Sequence, residues 1–227
     1  MEKLVYVLWG SKIPVSDRLE KIGRPLISVA REAGASTMSL LLPDQTELIR
    51  ERSPARLSPS FDSASLVFQC WLPSLDVRAP IETALGRQDG ELWGYLVTES
   101  TVQPRPGSEA EAERLPGITQ ITLNEKPEGV SDEAFYHEWQ VVHSRMSFDL
   151  HPLRESYERN AVARRLTPEA PDHRAIVLER FSTLEDFVDE SRYFGDPEVV
   201  KATFAHVPTF YRFDTAITGG MSELRFR

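Results

Sequence analysis

The chain has 227 residues, of which 41% are hydrophobic and 27% are charged, as is ordinary for a soluble globular protein. Its formal net charge of -9 argues against nucleic acid and anionic membranes as main partners, because both are bound by basic faces. A single cysteine, Cys70, excludes an intrachain disulfide and a cysteine-based metal site. No apolar window approaches the length of a membrane span, so we expect a cytoplasmic protein.

A segment rich in proline, glycine and glutamate divides the sequence nearly in half. Residues 104–116 lack periodic apolar positions, and this composition is typical of a linker. We therefore predict a diverged, scaffolding N-terminal half over residues 1–103. The C-terminal half, residues 117–227, is predicted to carry the chemical site.

The N-terminal half opens with a β-rich run over residues 3–9, followed by Ser16, which is a good helix N-cap. A helix is predicted next, because apolar residues follow spacings of four, three and four at Ile22, Leu26, Val29 and Ala33. The remaining predicted elements are strands at 36–42 and 65–72, a helix at 75–86 and a strand at 92–98, with a long loop at 44–62.

The C-terminal half repeats this pattern. A strand is predicted at 117–123, and Ser131 is the candidate N-cap of a helix whose apolar residues have the same spacings at Phe135, Trp139, Val142 and Met146. The remaining predicted elements are strands at 154–166 and 175–181, a helix that begins at Thr183 with Ser182 to Glu185 as its capping box, and a helix that begins at Asp196 as its N-cap. A last strand is predicted at 211–218, followed by a turn at Gly219-Gly220.

The order β-α-β-β-α-β, read twice, is the ferredoxin-like plan and predicts an α+β protein. Two such sheets packed face to face would form a unit of the dimeric α+β barrel type, in which each half covers the open sheet of the other. This internal repeat leaves both a monomer and a homodimer open.

The histidines point to the C-terminal half. All five lie between His137 and His206. On a helical wheel His143 and Tyr136 flank the buried stripe of the Phe135 helix, whereas His137 points toward solvent. His143 is therefore placed to face a cavity between helix and sheet, where a neutral imidazole is a common acid or base. The alternative is a structural histidine that bonds only to neighbouring backbone.

The strand at 154–166 places Tyr157 and Arg159 on one face and Glu158 and Asn160 on the other. Either face brings polar groups into the layer between sheet and helices. Glu179 interrupts an apolar strand, where it would act as a base, pair with an arginine or face solvent. No metal-ligand spacing and no phosphate-binding loop is present, so we predict no metal and no nucleotide cofactor.

Three segments resemble the EthD-like family within the dimeric α+β barrels. They are Trp139-Gln-Val-Val-His143, Tyr157-Glu-Arg-Asn160 and residues 172–181, and the similarity covers residues 117–218. The resemblance implies an often cofactor-free enzyme acting on aromatic or polyketide-like molecules, as an isomerase, cyclase, decarboxylase, lyase or small monooxygenase. Relatives commonly use a histidine and a tyrosine, here His143 and Tyr157, with Asn160 as an orienting group.

These observations lead to the hypothesis of a cofactor-independent lyase, decarboxylase or isomerase for an aromatic small molecule. His143 would act as the acid or base, and Tyr157 would donate to a developing oxyanion. The predicted substrate-binding residues are Trp139, Tyr136, Phe135, Phe148, Arg154, Arg159, Glu179, Phe204 and His206. Two alternatives stay open: a non-catalytic small-molecule binding protein, and a haem-dependent oxidase or peroxidase with His143 or His206 on the iron.

Overall fold

The computed structural model describes residues 1–105 and 114–227, so most of the predicted linker lies outside the described residues. The described strands are β1 Glu2–Trp9, β2 Thr37–Leu42, β3 Ala64–Leu72, β4 Glu91–Gln103, β5 Ile118–Glu125, β6 Arg154–Arg165, β7 His173–Phe181 and β8 Ile217–Phe226. They form a closed barrel in the order β1-β3-β2-β8-β5-β7-β6-β4, with every neighbouring pair antiparallel.

Helices cover the outside of the barrel. Helix α1 consists of the segments Val15–Arg18, Leu19–Gly23 and Arg24–Glu32, and α4 consists of Asp132–His137, Glu138–His143 and Ser144–Leu150. The other helices are α2 Thr46–Arg52, α3 Ala79–Gly86, α5 Leu184–Val188, α6 Glu190–Tyr193 and α7 Pro197–His206. None of the helices in the described ranges is long and apolar enough to cross a membrane.

The predicted α+β class is confirmed. The strand order of the sheet repeats between the two halves of the chain. The first four strands are neighbours in the order β4-β1-β3-β2, and the last four repeat it as β8-β5-β7-β6. The two sets join where β4 pairs with β6 and β2 pairs with β8. As a result, each set closes the barrel edge that the other leaves open.

Both long helices contain a π-helical turn in the middle, at Leu19–Gly23 and at Glu138–His143. In α4 this turn shifts the buried face. The predicted stripe holds at Phe135 and Trp139, but beyond them Ser144, Ser147 and Leu150 are buried instead of Val142 and Met146. The wider turn has more residues than an α-helical turn, which moves the inward face along the sequence.

Two of the N-cap predictions for the C-terminal half are confirmed. Ser131 Oγ accepts a hydrogen bond from the backbone of Ala134, and the side chain of Asp196 caps α7 in the same way. The predicted cap Ser182 is wrong by one residue, because Thr183 Oγ1 accepts the hydrogen bond from the backbone of Asp186. Ser16 is not a cap, because α1 begins one residue earlier, at Val15.

The secondary structure predicted for the C-terminal end of the chain is wrong. The last strand does not occupy residues 211–218, and Gly219-Gly220 is not a turn, because both glycines lie inside β8. The cause is packing. A Cβ at Gly219 would lie 2.5 Å from three ring carbons of Phe61, a buried residue of the barrel's apolar core. Glycine in a strand commonly marks such a close approach, which a local reading takes for a turn.

We expect Gly219→Ala to destabilise the fold by about 1–3 kcal/mol, the usual range for overpacking a core. The added methyl group would displace the ring of Phe61, which is 1% exposed. Urea unfolding measures the effect, with Gly86→Ala as the control, since a Cβ at Gly86 meets nothing within 4 Å. Equal stability of the two variants would contradict this packing.

Candidate functional site

A cavity of about 300 Å³ lies between the helix-facing side of β5, β6 and β7 and the helices α4 and α7. Its walls are predominantly aromatic and apolar, as is usual for small-molecule sites. The aromatic residues that line it are Trp139, Tyr157, Tyr193, Phe194, Phe204, Phe210, Tyr211 and Phe213. The polar residues that line it are Arg56, Gln120, Thr122, Asn124, His143, His151, Glu179 and Thr218.

His143 ends the π-helical segment of α4 and lines the cavity. Its ring lies 4.7 Å from the ring of Phe210 and stacks on His206 at 6.2 Å between centroids. Nδ1 is buried, and no residue in the described ranges forms a hydrogen bond with it. Burial lowers the pKa of His143 to about 4, so the imidazole is neutral at pH 7.

Tyr157 enters the same cavity from β6 and is 1% exposed. Its hydroxyl lies 3.3 Å from Ser144 Oγ, and the guanidinium carbon of Arg154 lies 4.2 Å from its ring centroid. Burial raises the pKa of Tyr157 to about 12, so the phenol keeps its proton at neutral pH. The residue is therefore a hydrogen-bond donor rather than a base.

A hydrogen-bonded chain crosses the floor of the cavity. Arg154 Nη1 donates to Glu179 Oε1 at 2.6 Å, and Gln120 Nε2 donates to Glu179 Oε2 at 3.2 Å. The hydroxyl of Tyr193 donates to Gln120 Oε1 at 2.8 Å. Burial alone would raise the pKa of Glu179, but the charge and hydrogen bond of Arg154, together with His151 and His143, hold the pKa below its usual value. Glu179 is thus an ionised, paired carboxylate.

His151 forms a second, fixed imidazole in the wall. Its Nδ1 donates to the backbone carbonyl of Tyr193 at 2.8 Å, which leaves Nε2 as the acceptor of the neutral ring. Burial also lowers the pKa of His151. The two histidines differ in that His151 has a backbone partner and His143 has none among the described residues.

Five predicted site residues line the cavity: His143, Tyr157, Trp139, Glu179 and Phe204. Two others lie directly behind the wall. Arg154 pairs with Glu179, and His206 stacks on His143 while its Nε2 lies 3.4 Å from the carbonyl oxygen of Glu138.

The remaining predicted residues have other positions. Asn160 is wrong as a cavity residue, because it lies on the barrel-facing side of β6, where its Nδ2 donates to Glu158 Oε1 at 3.1 Å. Glu158 in turn pairs with the buried Lys3. Alternation along β6 turns Tyr157 toward the helices, so Asn160, three residues later, faces the opposite side.

Four further predictions fall outside the cavity wall. Phe135 and Tyr136 pack against Trp139 and do not themselves line the cavity. Phe148 is 44% exposed beside Arg154. Arg159 Nη1 donates to Ser144 Oγ at 2.6 Å and to the backbone carbonyl of Gln140, so its contacts are with α4.

Several cavity residues were missed by the sequence analysis. Gln120, Thr122 and Asn124 alternate along β5, and this period of two could have identified a polar strand face. His151 follows the C-terminal end of α4, outside the regular helical pattern, and Arg56 lies in what was predicted to be a loop of the other half. No local signal indicates that Arg56 reaches this cavity.

Over residues 1–105 and 114–227, no group of three or more histidine, cysteine, aspartate or glutamate side chains is arranged to hold a metal ion.

No family model and no curated protein matches the sequence. Among solved structures, an anthrone oxidase-like protein matches with a TM-score of 0.54 at 13% identity, over 98% of this chain and 91% of that one. A candidate monooxygenase from Fusobacterium nucleatum subsp. nucleatum matches with 0.53 at 7% identity, over 100% and 93%. A variant of chlorite dismutase from Candidatus Nitrospira defluvii matches with 0.51 at 14% identity, over 97% and 91%.

At such low identity these similarities establish the fold and leave the activity open. The neighbours belong to the dimeric α+β barrel superfamily. The chain accordingly has the fold of the dimeric α+β barrels.

Proposed function

We propose that the protein is a cofactor-independent enzyme that moves a proton on an aromatic or polyketide-like small molecule, in a lyase, decarboxylase or isomerase reaction. The observation that carries the proposal is His143, a neutral imidazole in an aromatic cavity, whose buried Nδ1 has no described hydrogen-bond partner. A histidine that served only the fold would be expected to bond a neighbouring group, as His151 does.

In this reaction His143 accepts a proton from the substrate and returns it to the product. A pKa of about 4 describes the ring without a ligand. Negative charge that forms on a bound substrate would stabilise the imidazolium and raise this pKa during proton transfer. Tyr157 keeps its proton and donates a hydrogen bond to the developing oxyanion.

Glu179 has a supporting role in the proposal. Its carboxylate is ionised and held by Arg154 and Gln120, so it contributes negative charge close to the histidines. The nearby charge of Glu179 favours the protonated form of His143 and partly opposes the effect of burial. Glu179 therefore helps to stabilise the imidazolium, and the more weakly acting charge of Arg154 opposes it.

The proposal also includes the division of the chain into two halves. The repeated strand order supports two tandem ferredoxin-like halves with the boundaries predicted above, the second of them EthD-like. Only the second half supplies histidines to the cavity, which agrees with a division into a scaffolding and a chemical half.

The haem alternative agrees less well with the site. His143 and His206 are the residues that would offer a nitrogen to iron. The cavity, at about 300 Å³, is at the lower end of the range for small-molecule sites, and four pyrrole rings with two propionates need a larger slot. Phe210 also lies against the ring of His143. A Soret band that appears on adding haem and is lost in His143→Ala would reverse this preference.

A ligand screen followed by a turnover assay tests the proposal. The wild-type protein is screened by thermal shift against aromatic acids, phenols and polyketide-like compounds, and each ligand is then incubated with the protein and analysed by mass spectrometry. We expect at least one ligand to be converted without any added cofactor. Ligands that bind tightly and are recovered unchanged would instead support the non-catalytic binding protein.

A further inference from the structure

Arg56 enters the cavity from the opposite half of the chain. It ends a short 3₁₀ turn, Pro54–Arg56, that follows α2, and it lines the cavity together with Ala55. Although charged, the residue is only 8% exposed. Buried arginines are normally held by a carboxylate or by several backbone carbonyls.

The contacts of Arg56 position the guanidinium group without neutralising it. Its central carbon lies 3.6 Å from the ring centroid of Tyr193 and 4.9 Å from that of Phe194. Nε donates to the backbone carbonyl of Phe187 at 3.2 Å. Nη2 is buried without a hydrogen-bond partner in the described parts of the chain, and the ion pairs found there do not include Arg56.

The charge balance of the cavity favours an anionic ligand. Glu179, the carboxylate that lines it, already forms an ion pair with Arg154. Both cavity histidines are shifted toward the neutral form by burial. In the described structure no carboxylate forms a direct ion pair with Arg56, and the charge of Glu190 acts on it only from a longer distance. The planar end of Arg56 matches the two oxygens of a carboxylate.

We propose that the cavity takes planar aromatic carboxylates and that Arg56 binds the carboxylate group while the ring system lies among the aromatic walls. The inference rests on the proposed function, because it assigns a substrate class to the same cavity. This assignment also gives the orientation of the substrate, with its carboxylate at Arg56 and its ring system against the aromatic residues of the cavity.

Calorimetric titration with matched probes tests this assignment. The probes are benzoate, 1-naphthoate, 2-naphthoate and 2-anthroate, each compared with its neutral carboxamide. We expect at least one acid to bind the wild-type protein about 10- to 100-fold more tightly than its amide, the range for a hydrogen bond to a charged group. Arg56→Gln should abolish that preference and leave the affinity for the amide within about threefold.

Two further variants distinguish the contribution of the planar pair of N–H donors of Arg56 from the contribution of its positive charge. Arg56→Lys keeps the charge but offers no planar pair of donors, so it should recover only part of the preference. Arg52→Gln removes the same charge from α2, where Arg52 pairs with Glu185 at the surface, and should bind like the wild type. Should Arg56→Gln fail to fold, Arg56→Lys and the wild-type acid–amide ratio still decide the question.

Failure of the inference is distinguishable from failure of the proposed function. Acids and amides that bind the wild type equally, an acid preference that persists in Arg56→Gln, or no binding of any probe would each overturn the assignment of carboxylates. Conversion of a neutral phenol that depends on His143 would then leave the proposed function standing without the carboxylate.

Discussion

Replacing His143 by glutamine is expected to lower kcat/KM for an aromatic substrate at least about 100-fold, because a positioned acid or base contributes about 10²–10⁴-fold. Glutamine keeps a polar side chain of similar length but cannot take up a proton at neutral pH. The neighbouring contacts with His206 and Phe210 are ring contacts, so the fold does not depend on a hydrogen bond of His143. Initial rates with the best compound from the screen measure the effect.

The matched control is His137→Gln, which changes the same residue type on the exposed side of the same helix. It should leave kcat/KM unchanged. A loss of less than about threefold in His143→Gln would remove His143 from the mechanism, since even a weak acid–base role exceeds that value.

The pH dependence gives a second readout for His143. Because burial lowers its pKa to about 4, the free enzyme holds the basic form at every pH above about 5. The profile of kcat/KM should therefore show no decline caused by His143 between about pH 8 and pH 5. A decline of kcat/KM toward acidic pH with a midpoint near 6.5, the ordinary pKa of histidine, would contradict the burial of this ring.

Breaking the buried ion pair of Arg154 and Glu179 is expected to have the largest effect on stability. Arg154→Met should lower the free energy of unfolding by about 3–5 kcal/mol, because it leaves a buried carboxylate without its partner. The Arg154 side chain is 0% exposed and that of Glu179 is 12% exposed, so water does little to replace the lost contact. Chemical denaturation measures the change.

The control for this experiment is the double variant Arg154→Met/Glu179→Leu. Removing both charges leaves no uncompensated group, so the double variant should be more stable than Arg154→Met alone. A single variant that unfolds within about 1 kcal/mol of the wild type would mean that Glu179 reaches solvent or another cation.

The stability of the protein at low pH gives a further test of the ion pair between Arg154 and Glu179. The pKa of Glu179 is lowered in the folded protein relative to its ordinary value of 4.5. Its contribution to stability is thus present above pH 4.5 and is lost as the pH falls through the lower folded value. The wild type should lose stability below pH 4.5 more steeply than the double variant, which has no carboxylate at this position.

Local signals predicted much of the fold. The N-caps Ser131 and Asp196 lie where the sequence places them, because capping depends on neighbours within three residues. The cap of α5 lies one residue beyond the predicted Ser182, at Thr183. The strands β5, β6 and β7 also lie close to their predicted positions. The position of β8 was wrong, because the distant Phe61 decides the packing at Gly219. Contacts of this kind have no local signature.

The candidate site was predicted in part for the same reason. His143 was identified because it flanks the buried stripe of a regular helix, and Tyr157 because the family resemblance agrees with a polar strand face. Asn160 was misplaced because the resemblance assigned it to the same site as Tyr157, although strand alternation puts the two side chains on opposite faces. Arg56 was missed because it lies in the other half and approaches the cavity only when the barrel closes.

The most direct test of the central claim, proton transfer by His143 in the aromatic cavity, is solvent-deuterium incorporation. The best compound is incubated in D₂O with wild-type protein and with His143→Gln, and substrate and product are analysed by mass spectrometry. We expect deuterium at a carbon atom of the wild-type product, to the extent that the proton on His143 exchanges with solvent, and at least about 100-fold slower conversion and incorporation with the variant. Equal conversion and equal incorporation by the two proteins would contradict proton transfer by His143.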